Sequence, residues 1–332
     1  MIKLCSQRGV EVEIDRDKMI YDVIIIGAGP AGLTAGIYTS RRGLKSLILS
    51  KGLSNQVSET AHIENYPGFE KIEGYRLIQK FEEQVRDFGV EIIFEEVIKI
   101  TPKKNSFIVK TTQKSYKGKT LILAFGKVPR TLDIPGEKEF TGRGISYCAT
   151  CDAPLFKDKI VAVIGGGNAA LDAALLLSKI AKKVYLVHRR DEFRGFEALV
   201  EDIKKKKDIE LVLSHVTVKL KGDKVLRSII VESKKTGERK ELKVDGVFVE
   251  IGSVVKTDFV KDLVKLDKNN YIIINSNCET SRPGVFAAGD VTNTPFKQIV
   301  VATGEGAKAG LNAYNYIHRI KTAIITDWNK MK

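Results

Sequence analysis

Cys148-Ala149-Thr150-Cys151-Asp152 sets two thiols three residues apart, with a carboxylate directly after the second. Thiols at this spacing close a small disulfide ring and exchange it with other disulfides through thiolate attack. Asp152 can pass a proton to or from the departing thiolate where burial raises its hold on that proton. The same carboxylate also suits a plainer role as a helix N-cap or turn residue. Zinc is the rival reading of the cysteine pair. It needs two more ligands, and only Cys5, Cys278 and four scattered histidines are available, so no metal is expected. Two inert buried thiols are the third possibility.

Two glycine motifs come next. Gly27-Ala28-Gly29-Pro30-Ala31-Gly32 follows an apolar run and precedes a helical one. There the glycines permit a tight turn and let the backbone approach a pyrophosphate, which the helix N-terminus stabilises. The next strand ends in Ser50 and Lys51, where an acid usually holds the ribose; the hydroxyl and ammonium can still bond to it. Gly165-Gly166-Gly167-Asn168-Ala169-Ala170 repeats the motif, and its strand end is His188-Arg189-Arg190, with Arg194 close behind. An acid there would repel a 2′-phosphate, whereas guanidinium groups grip it bidentately. This second turn reads as a site for NADPH. Gly289-Asp290 sits between a short apolar run and a helix beginning near Gln298. An aspartate so placed can bind a ribityl hydroxyl or a phosphate-side water, although Gly-Asp alone is also an ordinary turn. His62, His215 and His318 have no partners by spacing and read as structural or exposed.

The elements that must hold these residues form two βαβ units. The first runs through an apolar strand at 23–26, a helix around 33–39 and a strand at 47–49; the second through 160–164, 168–181 and 184–187. The fold class is therefore α/β, with two Rossmann-like nucleotide-binding domains. Extended stretches after strands 121–123 and 246–250 mark a crossing and a return. Residues 128–251 then form a domain inserted into one built from 19–127 and 252–332. Residues 1–18 are a charged extension without clear periodicity, and Met19 is a possible alternative start.

In 332 residues, 43% hydrophobic and 29% charged, the composition excludes a disordered or collagen-like chain. No run approaches the roughly 18 uncharged apolar residues of a membrane helix, and the charged first twenty residues have no apolar h-region, so no secretory signal is expected. Four cysteines are too few for a disulfide scaffold in this length, so a soluble, cytoplasmic protein is expected. The charge balance, 55 − 41 = +14, favours acidic partners. Its lysines are spread out, however, and do not interleave with aromatics, so neither nucleic acid nor membrane is an expected partner.

Taken together, GAGPAG, ENYPG at 64–68, CATCD, GGGNAALDAA, HRRDEFR, and GVFAAGD followed by Lys297-Gln298 resemble the low-molecular-weight thioredoxin reductases, over about residues 19–320. The resemblance implies FAD on the first domain and NADPH on the inserted one, with hydride passing to the flavin and electrons on to Cys148 and Cys151. By that match Cys151 lies next to the flavin, Cys148 attacks the partner's disulfide and Asp152 is the acid–base residue. It also assigns Gln56, Asn65, Val97, Ala124, Gly126, Lys297, Gln298 and Ile299 to the flavin, beside the first glycine turn and Asp290, and Gly252 to NADPH. The implied partner is thioredoxin or a glutaredoxin-like protein. The implied assembly is a homodimer whose NADPH domain rotates on loops near Gly126 and Gly252. Phe125, Ser54-Asn55 and Lys297 depart from the family pattern, and all three fall on the flavin side. The rivals are an NAD(P)H oxidase, a ferredoxin–NADP reductase of the same fold, which would lack the cysteine pair, and a low-turnover flavin redox sensor.

Overall fold

The computed structural model describes residues 19–52, 55–58, 60 and 63–320, with the backbone of 3–5 and 11–13. The chain divides into two compact units, 1–127 with 255–332, and 128–254. In the leading segment β1 (Lys3–Cys5) and β2 (Glu11–Glu13) pair antiparallel. Strands of three residues are too short to reveal themselves by alternation, so the sequence shows no periodicity there.

The first unit is organised by β3 (Ile20–Ile26), α1 (Pro30–Arg41), β4 (Ser46–Ser50), α2 (Gly74–Asp87), β5 (Glu91–Phe94), β6 (Val97–Lys103), β7 (Ser106–Thr111) and β8 (Ser115–Leu123). The strand order is β5-β4-β3-β8-β7-β6, with β5, β4, β3 and β8 parallel and β6 and β7 added antiparallel. Val23–Ile26 of β3 is a continuous apolar run because both faces of the strand are covered there. Val23 and Ile25 pack with Leu33, Ile78 and Val85, while Ile24 and Ile26 pack with Leu47, Leu49 and Leu121. Each such side chain removed from water contributes about 1.5–3 kcal/mol. That burial fixes where β3 ends and so where the first glycine turn begins.

The second unit comprises β9 (Val128–Pro129), α3 (Glu137–Phe140), β10 (Ile145–Ser146), α4 (Ala149–Asp152), β11 (Ile160–Gly165), α5 (Asn168–Leu177), β12 (Lys183–Val187), α6 (Glu197–Lys204), β13 (Ile209–Val212), β14 (His215–Gly222), β15 (Leu226–Ser233), β16 (Arg239–Lys243), β17 (Gly246–Glu250) and β18 (Ser253–Val254). A parallel sheet runs β10-β17-β11-β12-β13, and β14-β15-β16 form a separate antiparallel sheet. β18 pairs with β9 through Ser253–Pro129 and Val254–Val128, so this unit ends at Val254 and not at Ile251. α5 is also shorter than its apolar pattern suggests. Residues 178–181 leave it in a turn, whose Ile180 carbonyl accepts from the Asp158 amide (3.0 Å) just ahead of β11.

The chain then completes the first unit with β19 (Val285–Ala287) and α7 (Ile299–His318). β19 lies parallel to the last three residues of β8. α7 crosses α1 so closely that a Cβ on Gly306 would lie 2.2 Å from the Ala31 carbonyl oxygen.

Candidate functional site

The cysteine pair is built on a hydrogen-bonded start to α4. Ser146, buried at the end of β10, accepts from the Cys148 amide (3.0 Å) and donates to the Cys148 carbonyl (3.1 Å). Cys148 is the N-cap, and its Sγ accepts from the Cys151 amide at 3.1 Å. The two cysteines form a disulfide with Cα atoms 5.4 Å apart; Cys151 is exposed and Cys148 half-buried. Upstream, the buried carboxylate of Glu137 accepts from the Leu132 and Asp133 amides and from the Tyr147 hydroxyl, each at 2.7 Å. Burial first, then that carboxylate, pushes the Tyr147 phenol above its ordinary pKa. A locked Tyr147 fixes the residue before Cys148.

Asp152 is half-buried beside the pair and heads the 3₁₀ turn 153–156, but its side chain makes no capping bond there. The residue thus occupies the turn position of the plainer reading without the hydrogen bond of a side-chain cap. Cys278 is a different kind of thiol. Burial, then the Glu305 charge, pushes it up to about 12, which keeps it protonated and unreactive. The Cys5 side chain lies outside the described residues. Among the described residues no group of three or more His, Cys, Asp or Glu is placed to hold a metal.

In the first unit, Gly27 turns at φ +112, and a Cβ there would sit 2.3 Å from the Ala124 oxygen. Gly29 is the reverse case, with nothing within 4 Å of its missing Cβ. Gly29 caps α1 without a side-chain bond, and Pro30 occupies the first helical position, where its lack of an N–H costs nothing. An uncapped helix start beside an empty cradle fits a pyrophosphate. A Cβ on Gly289 would come 2.9 Å from that of Ala31, so the Gly289-Asp290 turn, at φ +79, sits on the same helix end.

Other expected flavin residues gather here. The Asn65 amide donates to Gln298 Oε1 at 3.1 Å, joining residues far apart in sequence, and Lys127 lies 3.9 Å from Asp290. Gln56 reaches the Lys127 carbonyl at 3.5 Å, Ala124 donates to the Ile26 carbonyl, and Gly126 is left-handed at φ +64. Lys297 donates to the Thr292 carbonyl (2.6 Å) over the Tyr271 ring; burial lowers its pKa, with Asp290 opposing. Val97 opens β6 and Ile299 opens α7. The Ser50 hydroxyl donates to the Gly52 carbonyl and Lys51 pairs with Glu96 at 3.3 Å, so both groups are engaged locally. Ser54 and His62 lie outside the described residues. Glu305 is the residue the sequence reading misses. Its buried carboxylate accepts from the Gly289 amide (2.7 Å) and from the Thr292 and Thr294 hydroxyls, fastening the turn. An acid in the otherwise small-residue stretch of α7 was its signal.

In the second unit the glycine turn opens on a cavity of about 600 Å³ lined by Gly165, Gly167, Asn168, Ala169, His188 and Gly252 together with Arg189, Arg190 and Arg194. Ala170 lies fully buried behind the turn. Gly167 caps α5 without a side-chain bond, and its missing Cβ also faces open space. None of the three guanidinium groups has an ion-pair partner among the described residues. The nearby acid, Asp191, is taken by Lys235 (2.8 Å) and the Ser214 hydroxyl. His188 is a prop more than a ligand. Its buried ring fills the space over Gly166, where a Cβ would lie 2.2 Å away, stacks on Phe193 and donates Nε2–H to the Glu192 carbonyl. Burial, then the charges of Arg190, Arg189 and Arg194, lowers its pKa against that hydrogen bond. The Arg194 amide donates to the Gly166 carbonyl (2.7 Å), clamping the arginine loop to the turn.

The same cavity is walled by Arg130, His215 and Thr217, none of them expected. His215, read from spacing as structural or exposed, is half-buried at the head of β14 and lines the cavity; spacing says nothing of what that strand faces. The Thr217 hydroxyl is buried without a partner among the described residues. Three unpaired cations, an uncapped helix start and an orphan hydroxyl fit a phosphorylated nucleotide.

Residues 21–306 match the family described as pyridine nucleotide-disulphide oxidoreductase. A thioredoxin reductase of Listeria innocua is 39% identical over 310 residues, covering 93% of this chain and 97% of that one. The crystal structure of Lactococcus lactis thioredoxin reductase superposes with a TM-score of 0.81 at 38% identity, covering 90% of this chain and all of that one. That of T. acidophilum thioredoxin reductase gives 0.79 at 37%, covering 91% and 99%. Matched along nearly its whole length in sequence and in fold, the chain belongs to the pyridine nucleotide-disulphide oxidoreductase family.

Proposed function

We propose that this protein is an NADPH-dependent, FAD-containing reductase of the disulfide in thioredoxin or a similar small redox protein. The observation that carries the reading is the Cys148–Cys151 disulfide with Asp152 beside it, in the same unit as a cavity walled by three unpaired guanidinium groups. The α1 start, Gly29, Asp290 and the Asn65–Gln298 pair would hold FAD. Gly167, the α5 start and Arg189, Arg190 and Arg194 would hold NADPH. Bound FAD supplies a two-electron relay from NADPH to a disulfide.

The residues' own steps follow from thiol chemistry. Two electrons and one proton break the Cys148–Cys151 bond and leave one thiol and one thiolate. The Cys148 thiolate displaces one sulfur of the partner's disulfide, forming a mixed disulfide and releasing a thiolate that Asp152 helps to protonate. The Cys151 sulfur then displaces Cys148's bond to the partner, re-forming the internal disulfide and freeing the second partner thiol. In sum, NADPH, one proton and the partner disulfide give NADP⁺ and the partner dithiol.

A homodimer in the cytoplasm belongs to the same reading; among the described residues no helix is long and apolar enough to cross a membrane. The +14 charge implies an acidic partner face and association that weakens with salt. The test is anaerobic, NADPH-driven reduction of a small thioredoxin by wild type and Cys148→Ser, with flavin absorbance followed in the same cuvette. Turnover of thioredoxin by the wild type alone, with flavin reduced in both, supports the relay. Equal flavin reduction with no transfer by either would overturn it in favour of an oxidase or a sensor.

A further inference from the structure

We infer that His215 is a specificity-determining residue for the coenzyme, contacting the 2′-phosphate end of NADPH through Nε2; this rests on the reading of the second-unit cavity as the NADPH site. The imidazole is held by the backbone around it. The Ser214 amide donates to the Arg190 carbonyl and the His215 amide to the His188 carbonyl, both at 3.0 Å, so the head of β14 is stitched to the arginine segment itself. Ser214 makes the turn at φ +55, left-handed for a non-glycine residue, with its hydroxyl anchored on Asp191. His215 therefore keeps one position relative to Arg189 and Arg190.

The ring's two nitrogens are not equivalent. Nδ1 lies 2.5 Å from the Leu213 carbonyl, an oxygen that only accepts, so Nδ1 carries a hydrogen. Nε2 has no partner among the described residues, although the residue lines the cavity with Arg189, Arg190 and Arg194. Thr217, two residues along the same strand and so on the same face, contributes the orphan hydroxyl. β14 thus supplies a second polar wall opposite no acid but Glu250. With Nδ1 already the donor to Leu213, Nε2 meets a phosphate as the second N–H of the imidazolium, the form that a bound anion favours, and a phosphate is the ligand that satisfies three guanidinium groups and that donor together.

The two amide substitutions separate the ring nitrogens. In His215→Asn the side-chain amide mimics Nδ1 and keeps the tie to Leu213, but nothing replaces Nε2. In His215→Gln the amide reaches toward the Nε2 position and the Leu213 tie is lost. Binding of 2′,5′-ADP and of 5′-AMP to the holoenzyme is measured by calorimetry, alongside KM and kcat for NADPH and NADH. His215→Asn is expected to weaken 2′,5′-ADP about tenfold with 5′-AMP unchanged, and to raise KM for NADPH alone at constant kcat, as loss of one hydrogen bond to a charged group implies. His215→Gln is expected to recover most of that loss. The opposite order, or equal weakening of both ligands, means His215 is only structural and overturns the inference. Arg189→Ala is the control. If it too leaves the 2′,5′-ADP to 5′-AMP ratio unchanged, the NADPH reading of the cavity fails, and the inference with it.

Discussion

The two glycine turns share a frame and differ in how their strand ends are finished. After β4, Ser50 bonds to its own chain and Lys51 is neutralised by Glu96. After β12, three arginines face a cavity while the neighbouring acid is held by Lys235. A βαβ turn supplies a place for pyrophosphate whatever follows it. Which nucleotide binds is decided by the few side chains at the next strand end, and above all by whether their charges are already spent.

That contrast can be broken experimentally, most severely at the disulfide. Cys148→Ser is expected to lower thioredoxin reduction by about 10³-fold or more while leaving flavin reduction by NADPH intact, since residues acting as a unit fail together. Stopped-flow absorbance separates the two steps. Replacing Arg189 and Arg190 together by Ala is expected to raise KM for NADPH about 10²-fold, the loss of two charge-assisted contacts. Lys51→Ala in the other turn should leave that KM unchanged. A comparable rise from Lys51→Ala would erase the distinction between the strand ends.

The glycines sharpen the comparison on a smaller scale. Gly166→Ala drives a methyl into the His188 ring and is expected to cost about 1–3 kcal/mol, read as a fall in Tm. Gly29→Ala meets no protein atom, so the flavin-free protein should melt as before while FAD rebinding, followed by flavin fluorescence, weakens. The smallest effect is pH-linked. The His188 pKa is lowered on folding, so the unfolded chain binds more protons and stability rises with pH. This contribution is complete above about pH 6.5, the ordinary imidazole value, and is lost as pH falls below it. Tm between pH 7.5 and 5.5 should therefore fall less in His188→Phe, which keeps the stack on Phe193.

What the sequence reveals is whatever is local. The cysteine pair, both glycine turns and the arginine cluster are each spelled out within a few residues, and the apolar runs of β3 and β11 announce a parallel sheet. Glu137 and Glu305 take partners between 4 and 16 residues away that no pattern marks, and spacing cannot show which strand faces which cavity, as with His215. The return at Val254 escaped for a related reason: a two-residue pairing of β18 with β9 has no signature of its own.

That small pairing also bears on how the protein is made. Residues 128–254 enter and leave side by side, so the second unit is complete once Val254 has been synthesised. The first unit, begun earlier, still lacks β19 beside β8 and α7 against α1. On a ribosome the later domain can therefore close first, and the earlier one stays an open sheet until nearly the whole chain has emerged. Truncation anywhere between 255 and 298 would leave an intact coenzyme domain hanging from an unfinished partner.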